Sequence, residues 1–228
     1  NMLAFGGILQ VADTITTATG EPLSWLTVND TGNMGRRLVE NAAHDDNAGG
    51  GSSGDGGPNP AFGKTTWGSY DYTSDTILVS YRLLRDSAAN LPPMLGALIG
   101  ERIGRIWSNE FTLADGLSKP SGIVTDAATG VTAASTTAIT LTEILQLQHQ
   151  VDPAYRSRGA SFMCNDAVAL HLRLKNDSDG RPLWQPSLIE GVPDRLLGAP
   201  LIYNHDMQGL AASQTSLIYG ALSMYKVR

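Results

Sequence analysis

The spacing of apolar residues changes character several times along this chain. Residues 8–11 and 13–19 are rich in β-branched side chains, which predicts short extended pieces, and Gly20-Glu21-Pro22 breaks them. An extended pattern resumes over 23–28 and ends at Asn29-Asp30-Thr31-Gly32, a turn sequence. From 47 to 60 all apolar periodicity is lost, because the stretch is almost wholly Gly, Ser, Asp, Asn and Pro. Phe62, Thr65, Trp67 and Ser69 then lead into a β-prone run over 70–81. Residues 44–74 therefore read as a long excursion, a loop or splayed hairpin with a glycine-rich limb. Such a segment inside a compact domain marks function or disorder.

The period then shifts to that of a helix. Over 91–111, Leu95, Leu98, Ile99, Ile103, Ile106 and Phe111 follow helical spacing, Asn90 stands at the cap position, and Pro92 and Pro93 occupy the first turn. Glu101 and Arg105 form an i, i+4 pair. Gly96, Gly100 and Gly104 lay a smooth stripe along one face, against which another backbone could pack closely. A Gly, Thr and Ala-rich loop covers 114–135. Thr140-Leu141-Thr142-Glu143 then has the form of a capping box opening a second helix, which ends near Asp152-Pro153. Residues 161–164 predict a short strand, and Asn165 caps a third helix running to about Lys175. Asp179-Gly180 predicts a turn, and 196–203 and 216–220 predict further strands. The fold class is α+β.

Composition narrows the functional classes. The 228 residues suit one generous domain or two small ones, and the 42% hydrophobic fraction is enough for a sizeable core. A net charge of -6 argues against a nucleic-acid binder, which needs a basic surface to neutralise phosphates, but suits a container whose wall DNA does not stick to. The single cysteine, Cys164, permits no intrachain disulfide and fits a reducing compartment. No apolar run approaches the roughly 20 residues needed to cross a bilayer.

Candidate chemistry is sparse. Gly50-Gly51-Ser52-Ser53-Gly54 matches the letters of a hydrolase nucleophile elbow, but neither a strand before it nor a helix after it is predicted. His44, His149, His171 and His205 are scattered, and none has a partner at metal-ligand spacing, so no metal is expected. Cys164, at the end of an apolar strand, reads as a small buried hydrophobe. No phosphate-binding glycine loop is present and no cofactor is expected.

The order of segments carries more information than any one motif. Gly6-Gly7-Ile8-Leu9-Gln10-Val11-Ala12, Thr19-Gly20-Glu21-Pro22-Leu23, Asn29-Asp30-Thr31-Gly32-Asn33 and Glu40-Asn41 are followed by Tyr72-Thr73-Ser74-Asp75 and Leu83-Leu84-Arg85-Asp86-Ser87. Then come Asp115-Gly116-Leu117-Ser118-Lys119-Pro120-Ser121-Gly122-Ile123, Asp152-Pro153-Ala154-Tyr155-Arg156, Asp179-Gly180-Arg181-Pro182-Leu183-Trp184-Gln185-Pro186 and Leu196-Leu197-Gly198-Ala199-Pro200. In that order, over almost the whole chain, they resemble the major capsid proteins of tailed bacteriophages and prophages with the Hong Kong-type shell fold.

The resemblance implies a non-enzymatic subunit that assembles with copies of itself, as pentamers and hexamers, into an icosahedral shell enclosing double-stranded DNA. It implies an N-terminal arm and first strands over 1–43, an extended arm over 44–78, a peripheral domain over 79–139 with 91–111 as its spine helix, and an axial domain over 140–228. The last part of the peripheral domain is expected to be absent after Tyr225-Lys226-Val227-Arg228. Phe62, Lys64 and Trp67 on the arm, and Arg102 and Arg105 on the spine helix, are the expected subunit-interface residues, whereas Trp107 and Trp184 are expected to pack in or near the core. Some relatives join subunits by a lysine-to-asparagine isopeptide bond, and Lys64 is the one lysine of the corresponding stretch. Portal, scaffold or maturation protease would be further partners, without a membrane, in the virion capsid and, during assembly, the host cytoplasm. An encapsulin-like nanocompartment shell is the near alternative, with a serine hydrolase using Ser52 the distant one.

Overall fold

The computed structural model describes residues 7–30, 40, 60–86, 91–176 and 194–228. They fall into two compact units, Ala18–Ser69 and Asn1–Thr17 with Tyr70–Arg228. In chain order the elements are β1 (Asp13–Thr14), β2 (Leu23–Asn29), β3 (Ala61–Trp67), α1 (Tyr81–Asp86), α2 (Leu91–Leu113), α3 (Ile123–Asp126), α4 (Leu141–Gln150), α5 (Pro153–Arg156), β4 (Ser161–Cys164), α6 (Asp166–Arg173), β5 (Arg195–Leu196), β6 (Ala199–Tyr203), β7 (Leu217–Gly220) and β8 (Lys226–Val227). Helices and sheets are mixed, as the α+β expectation requires.

The larger unit is built on a four-stranded mixed sheet of order β5-β6-β4-β7, in which β4 runs parallel to β6 and antiparallel to β7. All four residues of β4 are buried because both faces of this strand are covered. Phe162, Cys164, Leu201 and Tyr219 point to one side, where they pack with Ile144 of α4 and Val168, Ala169 and Leu172 of α6. Met163, Ile202 and Ile218 point to the other, joining Ile8, Ile123, Met207 and Leu222. Alternation along each strand thus feeds two apolar layers.

Local signals account for the helix starts. Thr140 and Glu143 make the reciprocal capping box, and the Asn165 side chain accepts from the Ala167 N–H. Asp152 caps α5 with Pro153 in its first turn. Residues 115–121 form a closed loop after α2, bridged between Asp115 and Ser121. It ends at Gly122, where a Cβ would meet backbone atoms of Thr112, Leu113 and Ala114 at 2.7 Å.

Four sequence expectations need correction. Residues 8–11 are not extended: Ile8–Gln10 is a 3-10 turn, whose carbonyl at Ile8 accepts from Val11 and Ala12, leaving Ile8 buried. Only Asp13–Thr14 of 13–19 becomes strand, because its partner β8 is two residues long. Residues 70–80 carry no regular structure and α1 follows at once. A β-prone composition forms a ladder only where a partner strand is available; here Tyr72 instead sets its ring edge-on to Trp107 at 6.0 Å and donates to Glu110 at 2.5 Å. The 196–203 run is a hairpin, turned at Leu197 and Gly198 with φ of 49° and 82°. Asn90, the glycine-rich limb and the Asp179-Gly180 turn lie outside the described residues.

Candidate functional site

The smaller unit is organised by an antiparallel hairpin pairing Leu23 with Trp67, Trp25 with Thr65, Leu26 with Lys64 and Val28 with Phe62. Directly paired side chains share a face, so this register sorts the hairpin into two surfaces. On one, Trp25 and Trp67 stack diagonally, 5.4 Å apart with an interplanar angle of 1°. On the other, Leu26, Val28 and Phe62 lie together, 66%, 54% and 68% exposed, with Lys64 beside them. The hairpin offers water an apolar face with a cationic edge.

The structure therefore divides the residues expected at an interface. Phe62 and Lys64 share the uncovered face, whereas Trp67 belongs to the opposite one and is half-buried under Trp25. Leu26 and Val28, absent from the sequence expectation, complete the first face. Their signal was present in the extended pattern over 23–28, but which residues of 61–67 lie opposite them depends on the register. On α2, Arg102 is exposed and Arg105 bridges to Glu101 at 3.2 Å, as the i, i+4 spacing predicts. The apolar residues Met94, Leu98, Ile99 and Ile106 of that helix are also exposed. Its buried positions after Leu91 are Gly104, Ser108 and Thr112, and half-buried Phe111 packs into the second apolar layer beside them. Around Gly96 and Gly100 the space is open.

Chemically reactive groups are held in structural roles. Cys164 is fully buried, and desolvation pushes its thiol up to about 12, where it stays protonated at neutral pH. Tyr203 donates to Asp194 at 2.6 Å and Arg173 reaches both, tying the end of α6 to the sheet. Burial and the Asp194 hydrogen bond raise the Tyr203 hydroxyl well above its ordinary range. The buried Nε2 of His171 makes no hydrogen bond, and desolvation together with Lys175 lowers its proton affinity. Among the described residues no group of His, Cys, Asp and Glu side chains could hold a metal ion, and no helix is long and apolar enough to cross a membrane. Ser52, His44 and Trp184 lie outside the described residues. Trp107 is half-buried, in contact with Tyr72.

All 228 residues match the phage capsid family. The chain belongs to that family. Among solved structures it is similar to the capsid of an empty GTA particle computed with C5 symmetry, with 24% identity and a TM-score of 0.74 over 96% of this chain and 74% of that one. It is also similar to a structure from Mycobacterium phage Bobi, with 14% identity and a TM-score of 0.62 over 96% of this chain and 70% of that one. These likenesses establish the fold. No match is found among curated proteins.

As a phage capsid family member with this fold, the protein is a structural shell subunit that self-associates, and its place is the virion capsid. The family and the fold favour neither the nanocompartment nor the hydrolase alternative. The uncovered hairpin face is then a candidate contact between copies.

Proposed function

We propose that many copies of this subunit close into an icosahedral shell around double-stranded DNA, each using its β2–β3 hairpin to hold a neighbour. The observation that carries this reading is the face formed by Leu26, Val28, Phe62 and Lys64. Two strands alone are marginally stable in water, and a contiguous apolar face gains free energy only when something covers it. A neighbouring copy supplies that cover. Symmetric closure multiplies the contact, so each one need only be modest.

In this arrangement Leu26, Val28 and Phe62 are the apolar anchors, Lys64 meets a carboxylate at the rim, and Trp67 stiffens the hairpin by stacking on Trp25. Arg102, and Arg105 from its bridge to Glu101, face acidic groups of an adjacent copy. The hairpin serves as the extended arm, α2 as the spine helix, and the sheet with α4 and α6 as the axial domain. The net charge of -6 supports enclosure of DNA without sequence-specific binding. Assembly takes place in the host cytoplasm, with portal, scaffold or maturation protease as further partners. Lys64 is where a covalent link between copies would form, and a clean monomer band from dissociated shells on a denaturing gel excludes that link.

Electron microscopy of the expressed chain tests the reading, with closed shells expected. Phe62→Asp should leave subunit unfolding within about 0.5 kcal/mol of wild type, as an exposed substitution does. The same change should cut shell yield roughly tenfold or more by placing a charge in an apolar contact. Wild-type particles that stay small across a range of salt concentrations defeat the shell reading; normal shells from Phe62→Asp defeat the role of the hairpin face. Nucleic acid extracted from shells made alongside phage DNA distinguishes a genome container from an enzyme compartment.

A further inference from the structure

Beside Phe111, which packs into the second apolar layer, α2 meets the chain just past β6 through a closed ring of hydrogen bonds. Asn204, at the end of β6, is fully buried. Its Nδ2 donates to Thr112 Oγ1 at 2.9 Å, and its Oδ1 accepts from the Asp206 N–H at 3.1 Å. Thr112 Oγ1 donates to the Ser108 carbonyl at 2.7 Å, and Ser108 Oγ donates to Asp206 Oδ2 at 2.5 Å. The backbone of Asn204 is fixed as well, its N–H donating to the Cys164 carbonyl at 2.9 Å. Gly7, at a φ of +83°, closes the seat from the third side: a Cβ there would come within 3.0 Å of Asn204 Oδ1 and 3.3 Å of Ser108 Oγ.

Apolar contact is non-directional and tolerates small rotations and slides of a helix. Hydrogen bonds lose strength steeply with angle, and a buried donor or acceptor left without a partner costs about 1–3 kcal/mol. Turning α2 would strain or break together the two bonds that cross from it, Asn204 Nδ2 to Thr112 Oγ1 and Ser108 Oγ to Asp206 Oδ2. We propose that the Ser108–Thr112–Asn204–Asp206 ring is an angular lock, with Asn204 as its positioning residue, that fixes the inclination of α2 to the sheet and so the geometry each subunit brings to the shell. In a closed assembly a small angular error recurs in every copy, and closure at one size requires that it be small.

The assembly arm of the test rests on the shell reading; the distance arm does not. Ser108→Ala opens the ring with a minimal change of volume, and Asn204→Leu removes its central member. Spin labels at Arg102→Cys on α2 and Leu170→Cys on α6, both exposed positions, report the helix-to-sheet distance in the free full-length subunit. With Ser108→Ala the distance distribution should broaden about twofold as directional bonds give way to simple contact. Shells from the same variant should spread in diameter while the unfolding midpoint shifts by only a few degrees. An unchanged distance distribution overturns the lock, whether or not shells form. Shells of wild-type diameter at reduced yield also overturn it, because they indicate lost stability alone. If Asn204→Leu does not fold, Ser108→Ala decides the outcome.

Discussion

At Glu143 a single carboxylate closes two local structures. It accepts the Thr140 N–H at 2.7 Å, completing the capping box, and also the Ala134 N–H at 2.7 Å, which pins the loop before α4. Those two backbone donors, Ala134 first, lower its proton affinity below the ordinary carboxylate value. Because the folded-state pKa is depressed, the stabilisation is fully present above the unfolded-state value and is lost as pH falls through the folded-state value. The unfolding midpoint of wild type should therefore decline below about pH 4.3, the ordinary range of a glutamate. Glu143→Gln should start lower at neutral pH and flatten part of that acid limb; identical pH profiles would refute the assignment. Thr140→Ala removes the other half of the box, at about 1 kcal/mol. The Thr-x-x-Glu spacing made this cap legible in the sequence, but the bond to Ala134 was not, because nothing local brings the loop back.

The hairpin and α2 show the limit of periodicity at the scale of an element. In the hairpin, the Trp25–Trp67 stack supplies about 0.5–1.5 kcal/mol beyond area burial, a large share for a structure that is marginal alone. Trp25→Ala should raise amide exchange through both Leu23–Asn29 and Ala61–Trp67, measured in the free subunit. Exchange equal to wild type would show that the stack does not hold the strands. In α2 the 3.6-residue period identified the helix correctly over 91–111, and the structure extends it to Leu113. The apolar stripe identified the buried side only in part: Leu95, Ile103 and Phe111 are half-buried, but Leu98 is exposed. Ile99 and Ile106 are exposed as well, whereas Gly104, Ser108 and Thr112 are buried, the last two where Gly7 approaches Ser108 and Asn204 bonds to Thr112. Periodicity reports which face is apolar, and tertiary contacts decide which face is covered.

Across the larger unit, the mixed sheet joins two apolar layers through β4. Phe162→Ala, on the α4 and α6 side, should lower stability by about 3–5 kcal/mol, and Met163→Ala, on the opposite side, by about 2–5 kcal/mol. Since both side chains leave one strand, denaturant titration should show each variant shifting the same single transition; a new intermediate in either would mean that the layers unfold separately. By itself the sequence determined the α+β class, the long helix and its Glu101–Arg105 pair, the Thr140 and Asn165 caps, the strand at 161–164 and the hydrophobic character of Cys164. These features rest on spacing and on bonds between near neighbours in the chain. The order of its segments carried the likeness to phage capsids, which the family match establishes. Only the tertiary structure decided that 70–80 has no strand partner among the described residues, that Trp67 and Phe62 lie on opposite faces, and that Asn204 meets Thr112 across 92 residues of sequence. Each of those outcomes depends on register or on a distant partner, which local side-chain patterns do not encode.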